Sequence, residues 1–249
     1  MAICPGLPDP KRVNRALFGA WYEEDIYDRF CTGLPRVMRA FRRRIPRVMR
    51  ERGVIFIHVP RVAGTSICRA LYGEAGTRHH SMRYYRALDP AFCAATPSFA
   101  LLRDPVDRFA SAFFFIRAGG TPVCRLSQVF VKQTAHIETV DDYLDFLESR
   151  SDLDLDFTMR PQSWFVCDLA TGAPLVDELF LYGEDDARLA AWLARHGVEE
   201  LPWLNRAKRS ALWLTPRQRR RIERLYAGDF ALIESVRAGV RSAWSVAAE

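Results

Sequence analysis

The segment from Val54 to Leu71 limits the possible folds more than any other part of the chain. Val54–Ile57 is a continuous apolar run, which is typical of a buried strand. A turn containing Pro, Gly, Thr and Ser follows, and apolar residues then recur at helical spacing from Ile67 to Leu71. Because further strands and helices alternate along the chain, the sequence predicts a parallel sheet flanked by helices.

The turn at residues 61–66 has the features of an anion-binding site. Backbone N–H groups at a helix start lack partners within the helix, and the helix dipole places positive charge there. Gly64 allows close approach of the backbone, Thr65 and Ser66 add hydroxyl groups, and Arg61 adds a fixed charge. We therefore predict a phosphate or phosphosulfate loop; the alternative is an ordinary turn whose Thr and Ser only cap the helix.

Composition and charge are typical of a globular protein that binds an anionic partner. The 249 residues are 49% hydrophobic, enough for one large α/β domain or two small ones, and the net charge of +6 suits an anionic ligand or surface. The cysteines are scattered, with no C-x-x-C pair and no Cys/His cluster, so we expect no metal site. No apolar run is long enough for a transmembrane helix and the N-terminus lacks a signal-peptide pattern, so we expect a cytoplasmic protein.

The first 50 residues differ from the rest. The spacing of apolar residues over 11–31 predicts a helix, and residues 35–50 form a very basic amphipathic stretch. That stretch is either a solvated face packed on the domain, which we favour, or a surface in contact with an anionic membrane or acidic polymer through residues 36–50. We divide the chain into an N-terminal helical extension, residues 1–50, and a main domain, residues 51–249.

The rest of the chain shows alternating strands and helices. Strands are predicted at 99–102 and 178–182, and helices at 105–116, 140–150, 161–169, 185–196, from 216 onward and at 230–236. We predict a three-layer P-loop-type α/β fold with a central, mostly parallel sheet.

A second candidate anion site is the segment RDPVDRFAS, from Arg103 to Ser111. Arg103 follows a predicted strand, at the end where open α/β sheets bind ligands, and Ser111 lies on the following helix. Arg binds phosphate in a bidentate manner and Ser donates its hydroxyl. The alternative is a surface Arg paired with Asp104 or Asp107.

The first loop is not a Walker A motif, because the chain contains no Gly-Lys dipeptide. No carboxylate stands out as a magnesium ligand either. A sulfuryl group carries less negative charge than a terminal phosphoryl group, so its transfer can proceed with one cation and backbone donors. Both absences therefore favour sulfuryl over phosphoryl transfer.

At this point HVPRVAGTSICRAL and FALLRDPVDRFASAFFF resemble the sulfotransferases that use 3′-phosphoadenosine-5′-phosphosulfate (PAPS). The closer branch contains the Golgi carbohydrate O-sulfotransferases and their short bacterial relatives. The first segment resembles the family's 5′-phosphosulfate loop, commonly Pro-Lys-x-x-Gly-Thr-Ser, and the second its 3′-phosphate motif. A weaker resemblance covers residues 51–236.

The resemblance implies roles for individual residues. Arg61 stands where most relatives have a Lys that contacts the leaving group, so it is expected to stabilise charge there without donating a proton. Arg103 and Ser111 are expected to hold the 3′-phosphate, and Arg209, in a basic loop, to cover the nucleotide or steer anions. The phosphosulfate is expected to contact the loop residues Val62, Ala63, Gly64, Thr65 and Ser66.

A catalytic base for an acceptor hydroxyl needs a pKa near neutrality, which histidine has. The family often has a His, then one intervening residue, a Ser or Thr, and an aromatic stretch. His79-His80-Ser81 followed by Tyr84-Tyr85 resembles this pattern, and its register selects His79; His80 is the alternative.

The resemblance thus implies a PAPS-dependent O-sulfotransferase that releases 3′-phosphoadenosine-5′-phosphate (PAP) and needs no metal. The expected acceptor is a small molecule, carbohydrate or glycolipid, with no nucleic-acid partner; the oligomeric state stays open. Two alternatives are a P-loop kinase and a non-catalytic module that binds acidic polysaccharide.

Overall fold

We describe the fold from a computed structural model of the chain, which covers residues 10–23, 25–26, 44–73, 78–121, 126–198 and 212–239. These residues form twelve α-helices, one short 3-10 helix and three strands. The bounds, in chain order, are α1 Pro10–Phe18, α2 Arg47–Arg52, β1 Ile55–Ile57, α3 Gly64–Tyr72, α4 Met82–Leu88, α5 Pro90–Ala95, β2 Ser98–Leu102, α6 Pro105–Arg117, α7 Gln128–Thr134, α8 Val140–Glu148, the 3-10 helix Asp152–Asp154, α9 Ser163–Val166, β3 Glu178–Leu181, α10 Asp186–Arg195, α11 Pro216–Leu225 and α12 Ala227–Arg237.

The three strands form one parallel sheet in the order β1-β2-β3. Ile55 pairs with Ser98, and Phe99 pairs with Glu178. Every residue of β1 and β2 is buried, as parallel strands covered by helices on both faces require. This confirms the predicted α/β class, and it brings the carboxyl ends of all three described strands to one edge, where open α/β sheets bind ligands.

Two apolar clusters hold the helices around this sheet. In the first, Phe99 of β2 contacts Phe56 of β1 and Trp192 of α10, with ring centroids 4.9 and 4.6 Å apart. In the second, Phe109 of α6 lies 5.0 Å from Tyr143 of α8. Each large apolar side chain buried in this way contributes about 1.5–3 kcal/mol. Helix α6 is therefore anchored firmly next to the edge of the sheet.

Local capping explains why the helices start where the sequence predicts. Asp104 accepts hydrogen bonds from the N–H groups of Val106 and Asp107, and Pro105 fills the first helical position of α6. Thr139 and Thr215 each form a capping box at the start of α8 and α11.

Two predicted helices are shorter than the sequence pattern suggested. The helix predicted over residues 11–31 ends at Phe18, because Gly19 adopts a left-handed conformation with φ of 69°. The helix predicted over 161–169 is a single turn, because Cys167 is extended and its backbone pairs with Pro174.

The basic stretch is described only from residue 44 onward, so the contact predicted through residues 36–43 falls outside the described residues. In the described part, Ile45 and Met49 are buried against the sheet, and Arg50 pairs with Asp89 at 2.6 Å. Val48 is exposed, because the neighbouring Met49 takes the inward position of this helix. No described helix combines the length and apolar character needed to cross a bilayer.

Residues near the N-terminus pack against the segment around residue 160. Arg160 binds both carboxylate oxygens of Asp25, at 2.6 and 2.7 Å, and the side chains are 0% and 3% exposed. The Tyr22 hydroxyl donates to Asp156, and the Tyr22 ring stacks on Phe157 at 3.9 Å. Contacts therefore cross the boundary proposed at residue 50, and that boundary stays a prediction.

We expect Asp25→Asn to lower the free energy of unfolding by about 3–5 kcal/mol, because it leaves the Arg160 guanidinium buried without a counter-ion. Urea unfolding measures this. The matched control is Glu51→Gln, which removes the exposed pair with Arg47 and should change stability by less than about 1 kcal/mol. Equal losses in the two variants would contradict the structural role of Asp25.

Candidate active site

The loop between β1 and α3 is held in a strained conformation. Arg61 and Ala63 have φ values of 70° and 63°, in the left-handed region that residues other than glycine rarely adopt. Such residues cost on the order of 1–3 kcal/mol each and cluster at functional sites. Ala63 is the N-cap of α3, and its methyl side chain cannot accept a capping hydrogen bond. The loop thus presents the start of α3 in the way that anion-binding loops do.

Gly64 is required because the His58 ring lies against it. A Cβ at Gly64 would lie 2.0 Å from Cδ2 and 2.2 Å from Nε2 of His58. The same ring stacks with Phe56 at 5.8 Å, and its Nδ1 lies 3.8 Å from Cys68 Sγ. His58 therefore packs the start of α3 against the end of β1.

The second predicted anion site begins where β2 ends. Arg103 is the first residue after β2, and its side chain is one-fifth exposed, with Nη2 3.7 Å from the Asp107 carboxylate. Its guanidinium lies 5.6 Å from the Tyr182 ring. Arg103 Nε is buried and has no hydrogen-bond partner in the described part of the chain. A buried donor without a partner is consistent with a place for an anionic ligand.

Arg108, to which the sequence analysis gave no role, links the two sites. Its side chain is 2% exposed, and Nε donates to the carbonyl of Pro60 at 3.0 Å. Nη2 is buried without a partner among the described residues, and burial lowers the pKa of Arg108. The sequence shows Arg108 at the end of RDPVDR, but it does not show that Arg108 is buried or that it bonds to the carbonyl of Pro60.

Arg61 also connects the loop with α6. Its Nε and Nη2 donate to Ser111 Oγ at 3.1 and 3.0 Å, and its guanidinium lies over the Phe115 ring at 4.7 Å. The residue predicted to contact the leaving group is therefore bonded to a residue predicted to hold the 3′-phosphate. Together with Arg108, this contact makes the two predicted anion sites one continuous surface.

His79 lies beside the loop in a defined tautomer. Nδ1 lies 2.8 Å from the His58 carbonyl oxygen, and the two rings are 4.3 Å apart. Because a carbonyl oxygen only accepts, Nδ1 carries the proton, and Nε2 of the neutral ring has the lone pair. Nε2 is thus the nitrogen able to accept a proton from an acceptor hydroxyl.

His80 has a different environment. It is buried, stacks on Tyr84 with ring centroids 4.2 Å apart, and meets Tyr85 edge-on at 5.6 Å. Ser81 caps α4 by accepting from the Tyr84 N–H. These contacts give His80 a packing role at the start of α4.

Two further sequence-based expectations concern Arg209 and a metal site. Arg209 falls outside the described residues. Within the described ranges, no group of three or more His, Cys, Asp or Glu side chains is placed to hold a metal ion. Burial raises the pKa of Cys93 to about 11 and that of Cys167 to about 12, so neither thiol is a nucleophile at neutral pH.

We expect Gly64→Ala to weaken PAP binding by about tenfold or more, because overpacking costs about 1–3 kcal/mol and the methyl group must displace His58. Isothermal titration measures the affinity. The double variant His58→Ala/Gly64→Ala should regain part of it, because the smaller side chain leaves room for the methyl group. Wild-type affinity in Gly64→Ala would show that the loop tolerates the clash.

Comparison with known proteins agrees with this geometry. The profile described as the sulfotransferase family matches residues 47–233, about three-quarters of the chain, and so spans the loop, α6 and His79. No curated protein and no solved structure matches the chain significantly. The chain belongs to the sulfotransferase family, whose members are enzymes that use PAPS.

Proposed function

We propose that this protein transfers a sulfuryl group from PAPS to a hydroxyl of a carbohydrate or glycoconjugate, with His79 as the general base. The observation that carries the proposal is the hydrogen bond from His79 Nδ1 to the His58 carbonyl. That bond leaves Nε2 able to accept a proton, directly beside a strained loop with the features of a phosphosulfate site.

The nucleotide would bind across the surface formed by the loop and α6. In this proposal, the backbone of Val62, Ala63, Gly64 and Thr65 and the hydroxyls of Thr65 and Ser66 hold the 5′-phosphosulfate. Arg103 and Ser111 hold the 3′-phosphate. The buried Arg103 Nε and Arg108 Nη2, without partners among the described residues, are consistent with an anion at this position. Arg209 is assigned to the nucleotide by resemblance alone.

PAPS supplies an activated sulfuryl group attached to a phosphate leaving group. Nε2 of His79 takes the proton of the acceptor hydroxyl as its oxygen bonds to sulfur. The bond between sulfur and the bridging oxygen breaks, and its electron pair stays on the phosphate. The products are a sulfate ester and PAP, and His79 later releases its proton to solvent.

Arg61 would stabilise the negative charge that develops on the leaving phosphate. Its guanidinium stays protonated, so it acts by charge and hydrogen bonding and does not supply a proton. Its bonds to Ser111 Oγ hold it at the joint surface of the two motifs. An arginine in place of the family's usual lysine thus keeps the electrostatic role and makes two hydrogen bonds to one hydroxyl oxygen of α6.

An aromatic surface beside His79 supports a sugar as acceptor. The half-buried Phe157 ring lies 6.1 Å from the His79 ring, and the Tyr22 ring stacks on Phe157 at 3.9 Å. An aromatic face provides a large van der Waals contact for the apolar face of a sugar ring. A screen of acceptors with labelled PAPS tests this against lipid, small-metabolite and tyrosine acceptors.

Nucleotide selectivity tests the activity against its alternatives. We expect PAP to raise the melting temperature, since a ligand at 100 times its Kd adds about 2.7 kcal/mol to the folded state. ATP with Mg²⁺ should not do so. Stabilisation by ATP with Mg²⁺ instead would favour a phosphotransferase, and stabilisation only by acidic polysaccharide would favour a binding module.

His79→Ala should reduce turnover by about 10²–10⁴-fold, the usual contribution of a general base, while PAP affinity stays near wild type. In the wild type, turnover should fall at acid pH because protonation of Nε2 blocks proton uptake, and His79→Ala should lack this dependence. Initial rates and PAP titration measure both effects. The matched control is His196→Ala, since His196 also bonds a backbone carbonyl, that of Trp192, at 2.8 Å. Equal losses in the two variants would contradict the assignment.

A further inference from the structure

The backbone of Arg103 is held by the side chain of Gln162, which is fully buried. The Arg103 N–H donates to Gln162 Oε1 at 2.9 Å, and Gln162 Nε2 donates to the Arg103 carbonyl at 2.7 Å. Both peptide groups of Arg103 are therefore paired immediately after β2 ends. The amide side chain acts here as a neighbouring strand would, and it fixes the direction in which the Arg103 side chain leaves the sheet.

Only an amide side chain satisfies this pairing. Gln presents one acceptor and one donor side by side, which match the N–H and C=O of Arg103. A Glu would face the Arg103 carbonyl with a second acceptor, and an apolar side chain would leave both buried peptide groups without partners. The residue type at position 162 is thus tied to the conformation of Arg103.

Gln162 is itself held by Asp229 at the start of α12. The Asp229 carboxylate is 1% exposed and accepts from the Gln162 N–H at 2.7 Å. It also accepts from the N–H and the hydroxyl of Ser163, both at 2.8 Å. A buried carboxylate with three donors is rigidly placed. Helix α12 therefore fixes the start of α9, and Gln162 at that start fixes Arg103.

We propose that Gln162 and Asp229 are positioning residues that hold Arg103 for the 3′-phosphate and so set the preference for 3′-phosphorylated nucleotides. The inference rests on the proposed function, because it takes Arg103 as a ligand of that phosphate. It extends the nucleotide site to residues that lie in neither anion motif. Asp107 of α6 lies 3.7 Å from Arg103 Nη2, beyond hydrogen-bond distance, whereas Gln162 bonds both peptide groups of Arg103.

The test compares binding of PAP and of adenosine 5′-phosphate, which lacks the 3′-phosphate. The ratio of the two affinities reports the 3′-phosphate contact alone. We expect Gln162→Met to lower this ratio by about 10–100-fold, the range for a lost hydrogen bond to a charged group, with adenosine 5′-phosphate binding nearly unchanged. Asp229→Asn should also lower the ratio of affinities. This variant provides the test if Gln162→Met does not fold.

A similar contact at the opposite end of β2 provides the control. Asp177 accepts from the backbone N–H and the hydroxyl of Ser98 at 2.8 and 2.7 Å. Asp177→Asn should lower stability while the ratio of affinities stays at the wild-type value. If Asp177→Asn lowers the ratio of affinities as much as Gln162→Met does, the ratio reports general destabilisation and not the position of Arg103. That result would overturn the inference.

The variant Arg103→Ala separates the inference from the proposed function. If Arg103→Ala leaves the ratio unchanged, the 3′-phosphate assignment fails and the proposed nucleotide site is wrong. If it abolishes the preference but Gln162→Met and Asp229→Asn keep it, only the inference fails. If the inference holds, Gln162→Met should add little in the Arg103→Ala background, since contacts that act through one another are not additive.

Discussion

The hydrogen bond from Arg108 to the carbonyl of Pro60 is the interaction on which the site depends most. It joins the interior of α6 to the strained loop after β1, at 3.0 Å and away from solvent. Left-handed Arg61 and Ala63 are unfavourable in an isolated chain, so surrounding contacts must impose their conformation. Arg108 and the Arg61–Ser111 bonds supply those contacts. They are possible because β1 and β2 pair in parallel and end at the same edge.

His58 serves both halves of the site. Its ring packs on Gly64 and so fixes the beginning of α3, while its backbone carbonyl accepts a hydrogen bond from His79 Nδ1–H. One residue at the end of β1 thus couples the anion-binding loop to the candidate base. A shift of the loop would move His79 with it, which keeps the candidate base in register with the predicted phosphosulfate loop.

Much of the local structure followed from residue patterns. The apolar run at 54–57, the Asp104-Pro105 start of α6 and the Thr215-Pro216 start of α11 depend on neighbouring residues alone, and each lies where the sequence predicted. The failures have two causes. Gly19 ends α1 early at a local break, whereas Cys167 leaves its helix because its backbone pairs with Pro174, and each overrides a helical apolar pattern. Arg108 received no role because nothing near it in the sequence indicates that it is buried.

The sequence by itself determined the α/β class, because apolar strands and helices are local patterns. It also predicted the two anion motifs and, through the family resemblance, His79 as the base in place of His80. Only the tertiary structure decided how they work together. The tautomer of His79 depends on a carbonyl at residue 58, and the orientation of Arg103 depends on Gln162 and Asp229, far along the chain. Hydrogen-bond partners brought together by folding leave no pattern in adjacent residues, since their spacing along the chain is set by the path of the backbone between them.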